Sequence, residues 1–360
     1  QPTYYEPNGT GGWQEGGYRF SEWQQHKLEW GDMLADYYLS YDSLYHRQQP
    51  DWDVLDRIHK QGRLGRFNLG YYGACGESEE EIATWKASTL PRIRLGYEAA
   101  KERGLLDHAY IYGCDENPQD LFPAVERAAS ILKQEFPGVT VLTTTYDNTY
   151  GEGSPIKSMD AFCPLTPSFD PAGVVPARQQ GKQVWWYTCC GPHHPHLNTF
   201  IEYPAIEGRL LMGAMTAKYR PDGYLYYQIS IWNSQPITQG PFTDFDPRSW
   251  TTYHGDGSWT CPGPDGTPLP TVRLENFRDG LEDYAYLRTL EATIAKVETS
   301  DELRAGRGDW LARAKGLLEV PADVLASKTE YTDDPAALYR WRDAVARAIE
   351  DAGTEPAYPW

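Results

Sequence analysis

The stretch His108-Ala109-Tyr110-Ile111-Tyr112-Gly113-Cys114-Asp115-Glu116-Asn117-Pro118 decides how the chain is read. It opens with an apolar and aromatic run of strand length. Two carboxylates, Asp115 and Glu116, end that run, and Asn117-Pro118 turns the chain. Residues 119–136 follow with a helical pattern that Pro137-Gly138 stops. A strand that ends in charged residues and feeds a helix is half of a parallel βα unit.

The same unit repeats on both sides. Candidate strands lie at 39–45, 66–73, 108–114, 139–145, 159–165, 183–189 and 223–230. Helical patterns lie at 28–38, 79–103, 119–136 and 203–219, with Gly104 ending the second. An eighth strand, from residues 1–25 or from a segment outside the sequence, would close a (β/α)8 TIM-like barrel. An open doubly wound sheet is the alternative. The barrel is preferred because polar and aromatic residues cluster after the strand ends, where barrel sites are built. Residues 234–270 are rich in Pro, Gly, Asp and Trp and read as a long functional loop, with Trp250, Tyr253 and Trp259 packing it near the barrel mouth. A closing helix is expected at 274–297 and surface helices at 301–352. The expected organisation is therefore a catalytic barrel over 1–290, including that loop, and a C-terminal helical extension over 291–360 packed on it.

Composition narrows the function. The 360 residues carry 33 Lys plus Arg against 51 Asp plus Glu, a net charge of −18. Such a surface repels phosphate backbones and anionic lipid, so nucleic acid is not an expected partner. No apolar run reaches the roughly 20 residues needed for a membrane span, so membrane insertion is not expected either. The 13 Trp and 26 Tyr either fill a core or stack on sugar faces; composition alone leaves both readings open. The six cysteines, Cys75, Cys114, Cys163, Cys189, Cys190 and Cys261, lack metal-ligand spacing, and buried thiols fit them as well as disulfides do. No metal or other cofactor is expected. The start at Gln1 without Met and the sequon Asn8-Gly9-Thr10 fit a processed, secreted protein, extracellular or periplasmic.

Asp115 and Glu116 are the candidate catalytic pair. Neighbouring carboxylates repel one another, which holds the proton on one of them. The protonated one can donate to a leaving oxygen while the other orients or stabilises positive charge. Against this stands a structural reading, in which acidic residues here cap the following helix. Other strand ends supply Trp185 and Tyr187 on one strand face, Trp232 and Asn233 at the end of the run Tyr224–Asn233, Tyr146 after 139–145, and His46-Arg47 after 39–45. His193-His194-Pro195-His196 leads to Asn198 and reads as a polar loop rather than a metal site.

These blocks, in order, resemble glycoside hydrolase family 123. The resemblance rests on Tyr110–Glu116, on Trp185-Trp186-Tyr187-Thr188-Cys189-Cys190-Gly191-Pro192, and on Asp222–Tyr227 with Trp232-Asn233. It also rests on Leu269–Glu275 leading into Arg278-Asp279-Gly280-Leu281-Glu282-Asp283-Tyr284, roughly residues 28–290 in all. The resemblance implies a (β/α)8 barrel and exo-acting, retaining, substrate-assisted β-N-acetylgalactosaminidase activity on a glycan. It implies that Asp115 orients the acetamido group and that Glu116 is acid and base. It places Tyr187 and Trp232 at the pocket wall, with Asn198, Asn233 and Tyr146 near them. A second reading is a glycosidase of the same fold acting on a sugar without an acetamido group, with Asp147 or Asp170 as the further carboxylate. A third is a non-catalytic carbohydrate-binding barrel. Family members usually carry a β-sandwich before the barrel, for which this sequence has no room, so such a domain is expected to be removed, lost or on a second chain. Residues 278–284 read as a structural helix start fixed by Arg–Asp pairing.

Overall fold

The computed structural model describes residues 3–7, 13–15, 26–74, 76–232, 251–262 and 267–359. Asn233 and Trp250 lie outside them. The chain divides into two compact units, residues 1–191 with 221–269, and residues 192–220 with 270–360. An expected boundary at residue 290 falls inside an unbroken helix, Val272–Glu298.

The first unit is a mixed α/β fold organised by parallel pairing. Strands β1 (Thr3–Pro7) and β2 (Trp13–Glu15) are followed by helices α1 (Lys27–Asp36) and α2 (Trp52–Lys60). Then come β3 (Phe67–Gly73), α3 (Glu79–Glu102), β4 (Ala109–Gly113), α4 (Phe122–Glu135), β5 (Thr140–Thr143) and β6 (Ala161–Phe162). After α5 (Pro171–Gln179) lie β7 (Gln183–Val184), β8 (Trp186–Thr188), β9 (Tyr224–Tyr226) and β10 (Ile231–Trp232). Strands β3 to β7 form a five-stranded parallel sheet in chain order, and β8 pairs in parallel with β9. Strand β1 pairs in parallel with β10, Thr3 opposite Ile231, so residues 1–25 do supply a strand.

Strand β4 is buried at every position, which is why its sequence is a continuous apolar run rather than an alternation. One face carries a cluster of Leu44, Tyr110, Tyr112, Leu142, Ala161, Cys163, Trp185, Tyr187 and Leu225. Helix α3 starts on a reciprocal cap: Ser78 accepts from the Glu81 amide and Glu81 accepts from the Ser78 amide.

Two expected strands are corrected, and one helix is new. Residues 39–45 form no strand; they are pinned by side chains instead of a ladder. The Asn68 amide group donates to the carbonyls of Ser43 and Leu44, and Asp42 accepts from the Asn68 backbone N–H and the Tyr110 hydroxyl. The strand expected at 183–189 is broken at Trp185, where the chain changes partner. The Trp185 amide donates to Phe162 on β6, and the Trp186 amide donates to Gly223 beside β9. The helix α2 was not foreseen; its Val54, Leu55 and Ile58 are buried at helical spacing.

The second unit is helical. Helix α6 (Ile206–Leu210) passes through a π-turn at Leu211–Met215 into α7 (Thr216–Tyr219), and α8 (Val272–Glu298) packs on them. Residues 278–284 lie inside α8, which starts at Val272, so they are not a helix start. Gly280 lies against the Arg209 backbone, where a Cβ would meet the Arg209 carbonyl oxygen at 2.6 Å. Asp283 accepts two bonds from the Arg209 guanidinium, at 2.7 and 2.9 Å. The Arg–Asp pairing thus joins two helices, with Arg278 bonded locally to Asp279.

Gly113, the last residue of β4, faces the Tyr72 ring, and a Cβ there would lie 2.5 Å from ring carbon Cδ2. Tyr72 is buried and its hydroxyl donates to the Leu142 carbonyl, so it has nowhere to retreat. Gly113→Ala is expected to lower stability by about 1–3 kcal/mol in urea denaturation; an unchanged midpoint would contradict this packing.

Candidate active site

The ladder between β3 and β4 ends with the Cys114 amide donating to the Gly73 carbonyl. The chain then makes an unusual turn: Cys114 and Glu116 both adopt left-handed backbone, φ 50° and 51°, on either side of Asp115. Non-glycine residues rarely adopt this conformation, and it persists only where surrounding contacts demand it. Here the contacts come from Thr143-Thr144-Thr145 at the end of β5. The Thr143 and Thr145 hydroxyls both donate to the Cys114 carbonyl, at 3.0 and 2.8 Å. The Thr144 hydroxyl accepts from the Glu116 amide at 3.1 Å and donates to Asp115 Oδ1 at 2.8 Å.

The turn presents two carboxylates to two sets of hydroxyls. Asp115 is half-buried; besides Thr144, it accepts from Tyr112 at Oδ1 (2.5 Å) and from Tyr45 at Oδ2 (3.1 Å). Tyr45 packs edge-on against Tyr71 and Tyr112. Glu116 is exposed and accepts from Tyr187 at Oε1 (2.5 Å); Tyr146 is hydrogen-bonded to it as well. Burial, followed by the neighbouring carboxylates, pushes the Tyr45, Tyr112 and Tyr187 hydroxyls above the ordinary phenol range. Tyr146 is pushed up to about 12, by burial first and then by Glu116. All four therefore keep their protons at neutral pH and act as donors.

Neither carboxylate caps a helix. The chain enters a short 3-10 turn, Gln119–Leu121, and then α4, and neither start takes a side-chain cap. The capping reading of Asp115-Glu116 is thereby removed.

The other sequence candidates fall in several places. Tyr187 and Tyr146 lie on Glu116, as above. Trp185 is buried in the sheet-face cluster, its indole N–H donating to Gln183 Oε1 at 2.9 Å. Both ring nitrogens of His46 face backbone carbonyls, of Gln48 and Asn68. Arg47 is exposed, and its charge acts on the Tyr71 phenol in the sense opposite to Asp115. Trp232 ends β10. Asn198 belongs to the second unit, buried, with its amide group donating to the Pro192 carbonyl and its Oδ1 accepting from the Thr199 amide. His194 in that unit stacks on Tyr203 and bonds Glu207, which ties up part of the histidine loop. The alternative carboxylates are engaged elsewhere. Asp147 bonds the amides of Thr149 and Gly151 and the hydroxyls of Thr149 and Ser154, and Asp170 caps α5.

Sequence reasoning missed Tyr45, Tyr112 and Thr144 as site residues. The signal for Thr144 was present, since three consecutive threonines at a strand end offer more hydroxyls than a strand needs. Tyr45 carried none, because the expected strand at 39–45 concealed its direction.

Residues 77–290, well over half of the chain, match the family model "Glycoside hydrolase 123, catalytic domain". Among solved structures, the chain is similar to a family 123 glycoside hydrolase from Clostridium perfringens analysed for the details of glycolipid glycan hydrolysis. The TM-score is 0.57 at 12% identity, covering 91% of this chain and 65% of that one. At that identity the likeness bears on the fold alone. The chain spans less than two thirds of the length of this relative. A GH10 xylanase from Thermobacillus composti also matches, with TM-score 0.33 and 13% identity over 72% of this chain and 99% of that one. No curated protein matches the sequence.

Thr144→Val removes one hydroxyl that serves both the turn and Asp115. It is expected to cost about 1–3 kcal/mol in urea denaturation, with Thr144→Ser recovering most of the loss. Equal stabilities of Val and Ser variants would show that the hydroxyl does not hold the turn.

Proposed function

Since the chain belongs to glycoside hydrolase family 123, and is on that ground a glycosidase, we propose that it removes terminal β-linked N-acetylgalactosamine, or a related 2-acetamido sugar, from a glycan by a retaining, substrate-assisted route. The observation that carries the proposal is the turn itself. It offers two adjacent carboxylates in different surroundings, one ringed by hydroxyls and one open to solvent.

The roles follow from acceptor capacity. A carboxylate oxygen has room for about two donors. Asp115 Oδ1 already takes Tyr112 and Thr144, whereas Oδ2 takes Tyr45 and has room for one more. In this reading that place receives the acetamido N–H. The bond increases electron density on the acetamido oxygen, which attacks the anomeric carbon as the glycosidic bond breaks. Glu116, its carboxyl aimed by Tyr187 and Tyr146, gives its proton to the leaving oxygen. As a carboxylate it then takes a proton from the water that opens the oxazolinium ring, so configuration is retained. No protein nucleophile has to reach the far sugar face, which suits carboxylates that are neighbours in sequence. We also read the parallel sheet as part of a closed (β/α)8 barrel; the parallel pairing of β1 with β10 supports this.

A glycosidase for sugars lacking the acetamido group would need a further carboxylate. Its two candidates, Asp147 and Asp170, are engaged in a loop and a helix cap, which favours the acetamido reading.

With an aryl β-N-acetylgalactosaminide as substrate, Glu116→Gln is expected to lower kcat by about 10²–10⁴ while the melting temperature is kept. Asp115→Asn should lose most turnover, and a thiazoline analogue of the sugar should inhibit. Normal turnover by Glu116→Gln would overturn the assignment. Hydrolysis confined to sugars without an acetamido group would move the protein to the second reading.

A further inference from the structure

Strand β8 carries Tyr187, whose hydroxyl holds Glu116, and it runs directly into Cys189-Cys190. In an extended strand, neighbouring side chains point to opposite faces. Here the backbone bends at both cysteines, and the Cys189 amide donates to the Gly191 carbonyl at 2.7 Å. The bend brings the two sulfurs to 3.8 Å from one another. Cys189 packs on the sheet-face cluster that contains Tyr187, and its thiol lies within electrostatic reach of Glu116. Cys190 is exposed.

We propose that Cys189 and Cys190 are a modification site: they close into a disulfide between neighbouring residues, and closing the ring, which draws the sulfurs in from 3.8 Å, shifts the end of β8 and takes Tyr187 off Glu116. The oxidant class is a low-molecular-weight disulfide. The exposed Cys190 thiolate attacks one of its sulfurs, a mixed disulfide forms, and one external thiolate leaves. Cys189 then attacks the Cys190 sulfur and expels the second external thiolate. The two cysteine protons end on the two released thiols. One external disulfide is reduced and one protein dithiol is oxidised.

The ring is a strained one. Consecutive Cα atoms across a trans peptide are about 3.8 Å apart, below the usual span for disulfide-linked residues of about 4.4–6.8 Å. Strain makes such a bond readily reducible, so the site switches with the thiol–disulfide balance around it. Burial raises the Cys189 thiol above its ordinary range, which makes the exposed Cys190 the first to react.

The test treats the full chain with oxidised glutathione, alkylates under denaturing conditions, and maps the peptide containing residues 189 and 190 by mass spectrometry. A peptide lighter by two hydrogens and resistant to alkylation is expected, with dithiothreitol restoring two alkylatable thiols. Turnover of the aryl glycoside should fall about tenfold on oxidation, the size of one lost hydrogen bond, and return on reduction. Cys190→Ser should stay at the reduced level under both conditions. Two alkylatable thiols after oxidation would overturn the proposal, as would equal activity of the oxidised and reduced forms. Because the peptide mass does not depend on hydrolysis, a pair that will not oxidise defeats this inference alone and leaves the glycosidase reading untouched.

Discussion

Everything at the site depends on the carbonyl of Cys114 and the amide of Glu116 being satisfied by threonines of another strand. Two left-handed residues in three positions cost of order 1–3 kcal/mol each. The Thr143 and Thr145 hydroxyls on one carbonyl and the Thr144 hydroxyl on one amide offset that cost. Thr143 ends β5 and Thr144 and Thr145 follow it directly, so a short run of a single residue type serves both ends of the turn. An ordinary strand-to-helix connection would have sent Asp115 and Glu116 toward the following amides. The strained turn aims them at a wall of phenols.

That wall accounts for part of the aromatic excess. Tyr45, Tyr112, Tyr146 and Tyr187 meet the two carboxylates through their hydroxyls, while other rings fill space. Trp186 packs edge-on to Phe169, and Trp259 stacks on Tyr226 at 4.1 Å. A phenol suits this place because it brings a rigid apolar body and one donor, and the carboxylates keep that donor protonated.

Much of this was legible in the sequence and some was not, for identifiable reasons. The β4 run was legible because a strand buried on both faces must be continuously apolar, and the carboxylates that ended it stood out. The helices α3 and α8 were legible because each is a long stretch dense in helix-forming residues, whereas α2 is short although its apolar residues recur at helical spacing. The segment 39–45 was misread because its Tyr41, Leu44 and Tyr45 look like strand residues. Their conformation is set by Asn68 and Asp42 through contacts that no local pattern encodes. The break at Trp185 was hidden for a similar reason, since a change of ladder partner leaves composition untouched. At the site, the identity of the pair could be read, but its surroundings could not. Tyr45 lies 70 positions from Asp115, and Tyr187 lies 71 from Glu116.

The threonine bonds also govern when the site comes into being. They join positions 28 to 31 residues apart, with all of α4 between them. A nascent chain that has formed β4 but not yet docked β5 holds the two acidic residues without the turn that aims them. Closing that intervening loop must precede any reward from the hydroxyls, which places the event among the slower, non-local steps of folding. The acid–base pair is therefore a product of strand docking, assembled only once the neighbouring βα unit is in place.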